Sequence, residues 1–456
     1  MKMEEVYQHI DNNMEKSVQD LQELLRIPSV AAKNQCLDEG AECVIRLMKQ
    51  AGIEDARGIS VNDGPQVVIG SVIVNEKYKT LLCYGHYDVQ PAEPFEEWIS
   101  PPFDANIIDG KIIARGATDD KSGVMAFIKA YEAFRAVYGE PPVNLKFIFE
   151  GEEEIGSPHL DDFMIQYGDL LKADGMHCLD GGVNASKVTP EIDLGLKGIL
   201  YIELIAHGAN RDNYSGNAAM LDNPAWELVH ALASIKDKDG KIIIDGWYDD
   251  FIEPDETDID LIRTICEETD EKDLLENLGV DHFANHKSMF EVLCERYYGA
   301  TATINGLVSG YTGEGSKTIV PASAMAKIDF RLPAGFDDLK QLERLKAHLA
   351  KHGFGDLEVR SLAGRGYPYK VPVSEPLSQA IIAASNEIFG VAPIVHGMTQ
   401  EDIIKHHLGM PVVLTGFGPA DCNLHAPNEY MSVDYYQRGI KFAASIMNRY
   451  ADYNDK

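Results

Sequence analysis

The sequence predicts an α/β chain: a three-layer domain with a mixed, largely parallel sheet, interrupted by an inserted two-layer α+β domain. Three observations predict it. The chain has 456 residues, too long for one compact core and suited to two domains of about 100–200 residues each. Its first third alternates strand-like with helix-periodic runs, the pattern of a sheet covered on both faces. After Lys197-Gly198 the order becomes β-α-β-β-α-β, that of a two-layer α+β unit. The expected boundaries are 1–197 and 369–456 for the two parts of the first domain and 198–368 for the insertion.

Each element has its own signal. Val18 to Leu25 and Ala41 to Met48 carry apolar groups at helical spacing. Val67-Val68-Ile69 and Leu81-Leu82-Cys83-Tyr84 read as short buried strands. Val124, Phe127, Ile128 and Tyr131 stand at i, i+3, i+4, i+7, a helix stripe. Val143, Leu145, Phe147 and Phe149 alternate as a strand does. In the insertion, Ile199 to Ala206 reads as a strand and Pro224 to Leu232 as a helix, before a very acidic stretch from Asp249 to Asp281. Strands follow at Thr301 to Leu307 and Thr318 to Leu332, then a helix at Asp337 to Lys351 and a strand near Leu357 to Leu362. Helix–strand alternation resumes from Val371 and ends in a helix from Val433 to Met447.

Lys+Arg 41 against Asp+Glu 73 gives a net charge of −32, which argues against nucleic acid or an anionic membrane as partner. Hydrophobic residues at 45% and charged residues at 25% describe a soluble globular chain. Seven cysteines form an odd set with no CxxC pair, so reduced, mostly core thiols are expected. The polar first residues lack a signal-peptide apolar run, and no stretch nears the roughly 18 apolar residues of a membrane span. A cytoplasmic protein is the expectation.

Four groups of segments place ionisable residues just after an apolar strand or at a helix start, where ligands sit in open α/β sheets. In Gly85-His86-Tyr87-Asp88, a metal-ligating imidazole held by a carboxylate competes with a loop histidine bonded to a local aspartate. In Thr118-Asp119-Asp120-Lys121, the aspartates read either as helix caps or as metal ligands approached by a small-residue run. Glu150-Gly151-Glu152-Glu153-Glu154 puts four glutamates in five residues directly after a strand. Such crowded carboxylates call for a cation or a base role. Asp180 before Gly181-Gly182, and His425 in Asn423-Leu424-His425-Ala426-Pro427-Asn428-Glu429, are weak signals singly. Cys422 reads as a core thiol. Together, two histidines and three carboxylates match a dinuclear hydrolytic site for zinc, with manganese or cobalt as alternatives.

The motifs GHYDV, RGATDDKSG, EGEEEIGS, DGG and NLHAPNE resemble, in order and rough spacing, those of the dinuclear-metal amidohydrolase family of carnosinases, cytosolic dipeptidases, aminoacylases and glutamate carboxypeptidases. Gly246-Trp247-Tyr248-Asp249-Asp250 and Lys317-Thr318-Ile319-Val320-Pro321 look most like its carnosinase-type branch. The resemblance implies a catalytic domain and an inserted lid through which the chain forms a homodimer. It implies His86, Asp119 and Asp180 on one metal ion, Asp119 bridging to a second completed by Glu154 and His425, and Asp88 orienting His86. Glu153 would be the general base and Arg331 the holder of a substrate carboxylate.

Two departures bear on substrate. Tyr214, in Arg211-Asp212-Asn213-Tyr214-Ser215-Gly216, stands where the family carries a carbonyl-polarising histidine, and a phenol brings no positive charge. His396-Gly397-Met398-Thr399-Gln400-Glu401-Asp402 replaces a substrate-cradling GGS-like loop, with Thr399 the candidate contact. The expected activity is metal-dependent hydrolysis of a peptide bond in dipeptides or similar small substrates. An N-acyl amino acid deacylase or carboxypeptidase-type amidohydrolase is the alternative, and a non-catalytic metal-binding module a further one.

Overall fold

The computed structural model describes all residues except 182, 185–188, 363–367, 391–393, 397–402 and 455–456. The chain divides into two compact units. The first comprises Met1–Leu194, Val371–His396 and Ile403–Lys456; the second contains Gly195–Lys370.

The first unit is built on a mixed sheet. Its strands lie in the order Arg57–Ile59, Val67–Val72, Asn144–Glu150, Thr80–His86, Gly175–Leu179, Val412–Thr415, Thr189–Asp193, Ile394–His396. Thr80–His86 runs parallel to both Asn144–Glu150 and Gly175–Leu179, and Val412–Thr415 parallel to Gly175–Leu179. These central strands are nearly continuous apolar runs, as strands covered on both faces must be. The helix Lys121–Tyr138 is buried along most of its length and ends at Gly139 in the left-handed conformation. It packs on the helices Met3–Asn12, Met14–Leu25, Leu37–Ala51 and Val433–Tyr450. That last helix starts where Ser432 Oγ accepts the Tyr435 amide at 3.1 Å.

The second unit has two layers. Its antiparallel sheet runs Thr301–Ser309, Ser323–Leu332, Gly198–His207, Glu358–Ser361. The helix Pro224–Ile235 packs on the two long strands and Asp338–Lys351 on Gly198–His207. Ile202, Leu204, Ile328, Phe330, Trp247 and Leu345 form the core between the layers. The Trp247 and Phe330 ring centroids are 4.9 Å apart. The acidic stretch folds into helices Glu256–Glu268 and Glu271–Leu278, two elements the sequence reading did not resolve. Their apolar positions are few, and Ile262 and Ile265 are the ones buried.

Candidate metal centre

Parallel strands deliver their last residues to one end of the sheet. His86 ends Thr80–His86, opposite Glu150 on the neighbouring strand. Asp180 directly follows Gly175–Leu179. Asp119 and Asp120 precede the helix Lys121–Tyr138 and are joined by a cis peptide. Glu153 and Glu154 open the 3-10 turn Glu153–Ile155, and His425 lies in the loop before Tyr430–Ser432.

There the side chains form two groups that share Asp119. His86, Asp119 and Asp180 make one; Asp119, Glu154 and His425 make the other, each with ligand-type atoms within 4.8 Å of one another. His86 Nε2 lies 3.0 Å from Asp119 Oδ1 and 3.8 Å from Asp180 Oδ2. His425 Nε2 lies 2.9 Å from Asp119 Oδ2 and 3.3 Å from Glu154 Oε2. Glu153 Oε2 is 3.9 Å from His86 Nε2. Asp88 is fully buried: its carbonyl oxygen is 3.1 Å and its Oδ1 3.3 Å from His86 Nδ1. The same carboxylate accepts the amides of Glu153 and Glu154 at 3.2 and 3.1 Å. Asp88 thus ties His86 to the glutamate turn. The Gln90 side-chain amide donates to Glu154 Oε2 at 2.9 Å.

The electrostatics of the cluster are those of carboxylates that lack enough positive charge. Burial pushes Glu153 and Glu154 each up to about 7, and neighbouring carboxylates add to the rise. Burial and then the charge of Asp119 raise Asp180. Asp119 moves the other way: burial opposes its charge, but hydrogen bonds from His425 and His86 hold it well down. The bond to Asp119 in turn raises His425 to about 9. An N/O donor set sharing a central carboxylate is what divalent ions such as zinc or manganese accept, so the residues fit a metal ion.

Beneath the cluster, Asp120 departs from its reading as a helix cap, and Glu429 takes a role the sequence reading did not give it. Asp120 occupies the cap position of its helix but makes no capping bond. Its Oδ2 instead accepts the His86 amide at 3.2 Å, while Oδ1 is buried and has no hydrogen-bond partner among the described residues. A Cβ at Gly85 or Gly123 would stand 2.5 or 2.0 Å from the Asp120 carboxylate, so glycine is needed at both. Glu429 is fully buried. It accepts from Arg115 Nη1 at 2.6 Å and from the amides of Gly116, Thr118 and Asp119 at 3.0, 2.9 and 3.2 Å. One carboxylate therefore clamps the Asp119 loop to the segment bearing His425. Both residues sat inside recognised motifs, but nothing in the sequence distinguishes a buried clamp from a solvated acid.

The remaining candidates lie apart from this description. Arg331, on Ser323–Leu332, faces Asp329 at 3.4 Å and is partly exposed. Tyr214 is 69% exposed on the short strand Asn213–Tyr214. Both belong to the second unit. Thr399 lies outside the described residues. Cys422 is buried, and all seven cysteines are free thiols.

Comparison with known proteins adds lineage to this geometry. The model of peptidase family M20/M25/M40 matches residues 82–449. The chain is 28% identical to the Beta-Ala-His dipeptidase of Homo sapiens, over 97% of this chain and 92% of that protein. It is 28% identical to the Cys-Gly metallodipeptidase dug1 of Schizosaccharomyces pombe, over 99% of each. A solved M20 family metallo-carboxypeptidase, Sso-CP2 from Sulfolobus solfataricus, superposes with a TM-score of 0.83 at 34% identity, covering 96% of this chain and 99% of that one.

Proposed function

This chain belongs to peptidase family M20/M25/M40, and from that premise we propose how its residues divide the work of metal-dependent peptide hydrolysis. The enzyme hydrolyses a peptide bond in dipeptides or similar small substrates. His86, Asp119 and Asp180 would hold one divalent ion, and Asp119, Glu154 and His425 a second, with zinc the first expectation. Such ions polarise a scissile carbonyl and lower the pKa of an attacking water. Glu153 is the general base: its carboxylate takes a proton from water and returns it to the leaving amine. Asp88 keeps the His86 ring and the Glu153 backbone in register. Arg331 offers a planar fork for the substrate carboxylate. Tyr214 and Thr399 are proposed as further substrate contacts, a phenol and a hydroxyl where the family carries a histidine and a small-residue loop.

The observation that carries this reading is the pair of ligand groups sharing Asp119, with Glu153 3.9 Å from His86. The test is metal-loaded protein assayed against free-amino dipeptides and N-acyl amino acids. Dipeptide turnover that collapses in Glu153→Gln, at unchanged metal content, is the expected result. Full turnover in that variant would remove Glu153 from its role. Turnover of the N-blocked substrates alone would move the activity to carboxypeptidase or deacylase chemistry.

Among the described residues no helix is long and apolar enough to cross a membrane, and a cytoplasmic location is proposed. A homodimer through the second unit is proposed as well. Thr301–Ser309 is an edge strand that exposes Ile304, Leu307 and Val308, and the helix Pro224–Ile235 exposes Trp226 and Val229. Bare apolar edges ask for a partner. Leu307→Lys should convert the dimer to monomer in sedimentation velocity.

A further inference from the structure

The second unit holds another cluster of metal-ligand type, outside the peptidase centre: Asp245, His348 and His352, with candidate atoms within 4.8 Å of one another. His348 lies in the last turn of the helix Asp338–Lys351 and His352 is its C-cap residue, their ring centroids 4.2 Å apart. Asp245 comes from the segment before Trp247, far off in sequence. Its Oδ2 is 3.5 Å from His348 Nδ1 and 3.4 Å from His352 Nε2. Ligand atoms around tetrahedral zinc, with bonds of about 2.0–2.2 Å, lie about 3.3–3.5 Å apart. The two Asp245 distances match that spacing.

The protonation pattern favours it too. His348 Nε2 lies 3.0 Å from the Ser234 carbonyl, which can only accept, so Nε2 carries the proton. The Nδ1 lone pair then faces Asp245, whose amide it accepts at a long 3.2 Å, a bond that metal coordination would replace. A ring N–H given to a backbone carbonyl is how proteins orient a ligating histidine. Lys351 Nζ is 2.8 Å from Asp245 Oδ2. That pair is open to solvent, which screens it, so the ammonium is a weak competitor for the carboxylate.

We propose that Asp245, His348 and His352 form a second, separate binding site for a borderline transition-metal ion, zinc or copper in preference to magnesium or calcium. The two imidazoles set that preference. The ion would staple the segment around Asp245 to the helix Asp338–Lys351, and water would complete its coordination. The site takes no part in hydrolysis.

Zinc alone is the probe. Chelator-stripped full-length protein is equilibrated with zinc, and the bound metal per chain is measured for wild type, His352→Ala and Asp245→Asn. His348 is left intact because it is buried in the unit. Each variant should bind one zinc ion fewer than wild type and lose the zinc-dependent rise in melting temperature that this site supplies. Dipeptide turnover should be unchanged in both. Lys351→Met, which removes the competing ammonium, should bind that ion severalfold more tightly. Equal zinc content and equal melting shifts in all four proteins would overturn the assignment.

Discussion

Residues 150–154 and residues 249–281 are the two most acidic stretches of the chain, and the fold uses them in opposite ways. In the first, Glu150 is buried and accepts from Tyr84 Oη at 2.7 Å, while Glu152 lies 2.8 Å from His159 Nδ1. Glu153 and Glu154 face two histidines. In the second, the acids cap helices and, except for Asp258, which is buried beside Lys370, meet solvent. Asp255 and Asp258 form a reciprocal capping box, and Asp270 accepts the amides of Lys272 and Asp273. Arg263–Asp260 is an exposed pair one turn apart. The difference lies in what precedes each run. The first follows a strand buried on both faces, so its carboxylates emerge at the sheet end. The second has too few apolar groups to bury more than one helix stripe.

The contrast breaks most sharply at Glu153. Glu153→Gln should lower kcat on the best dipeptide by about 10²–10⁴-fold, the usual worth of a general base, with metal content unchanged. Next comes the buried pair Arg115–Glu429. Glu429→Gln leaves Arg115 uncompensated and should destabilise the protein by about 3–5 kcal/mol in urea unfolding. It should also weaken zinc binding measured at equilibrium, whereas Arg115→Lys with Glu429 intact should retain more of that affinity.

Glu150 sharpens the comparison through pH. Burial raises its carboxyl from 4.5 to about 8, so between those values the folded chain holds a proton that the unfolded chain has released. Stability from this group is greatest below 4.5 and falls as pH climbs toward about 8. Glu150→Gln should flatten that decline in melting curves taken from pH 5 to 8. The second stretch should respond mildly. Asp255→Ala removes a cap and should cost about 0.5–2 kcal/mol. Glu276→Gln, which breaks an exposed 3.4 Å pair with Lys272, should stay within about 0.5 kcal/mol of wild type by chemical denaturation.

The order of strands and helices was legible because periodicity is local: the stripe at Val124, Phe127, Ile128 and Tyr131 lies on the helix Lys121–Tyr138. The alternation ending at Phe149 lies on the strand Asn144–Glu150. The site motifs were legible for a related reason, since they sit at strand ends where a short segment carries both the fold signal and the chemistry. The helices within 249–281 were not, because charge masked a thin apolar stripe.

What the sequence determined by itself was therefore the alternation of elements, the acidic surface and the identities of the candidate ligands. Tertiary structure alone decided that Asp119 stands between His86 and His425, that Asp120 turns from capping its helix to the His86 amide, and that Glu429 clamps a loop more than three hundred residues earlier. It also decided that Asp245 meets two histidines at the end of a distant helix. The reason is physical: propensity and period act between neighbours in the chain, whereas burial and charge pairing depend on which distant segments the packed core brings within a few ångströms.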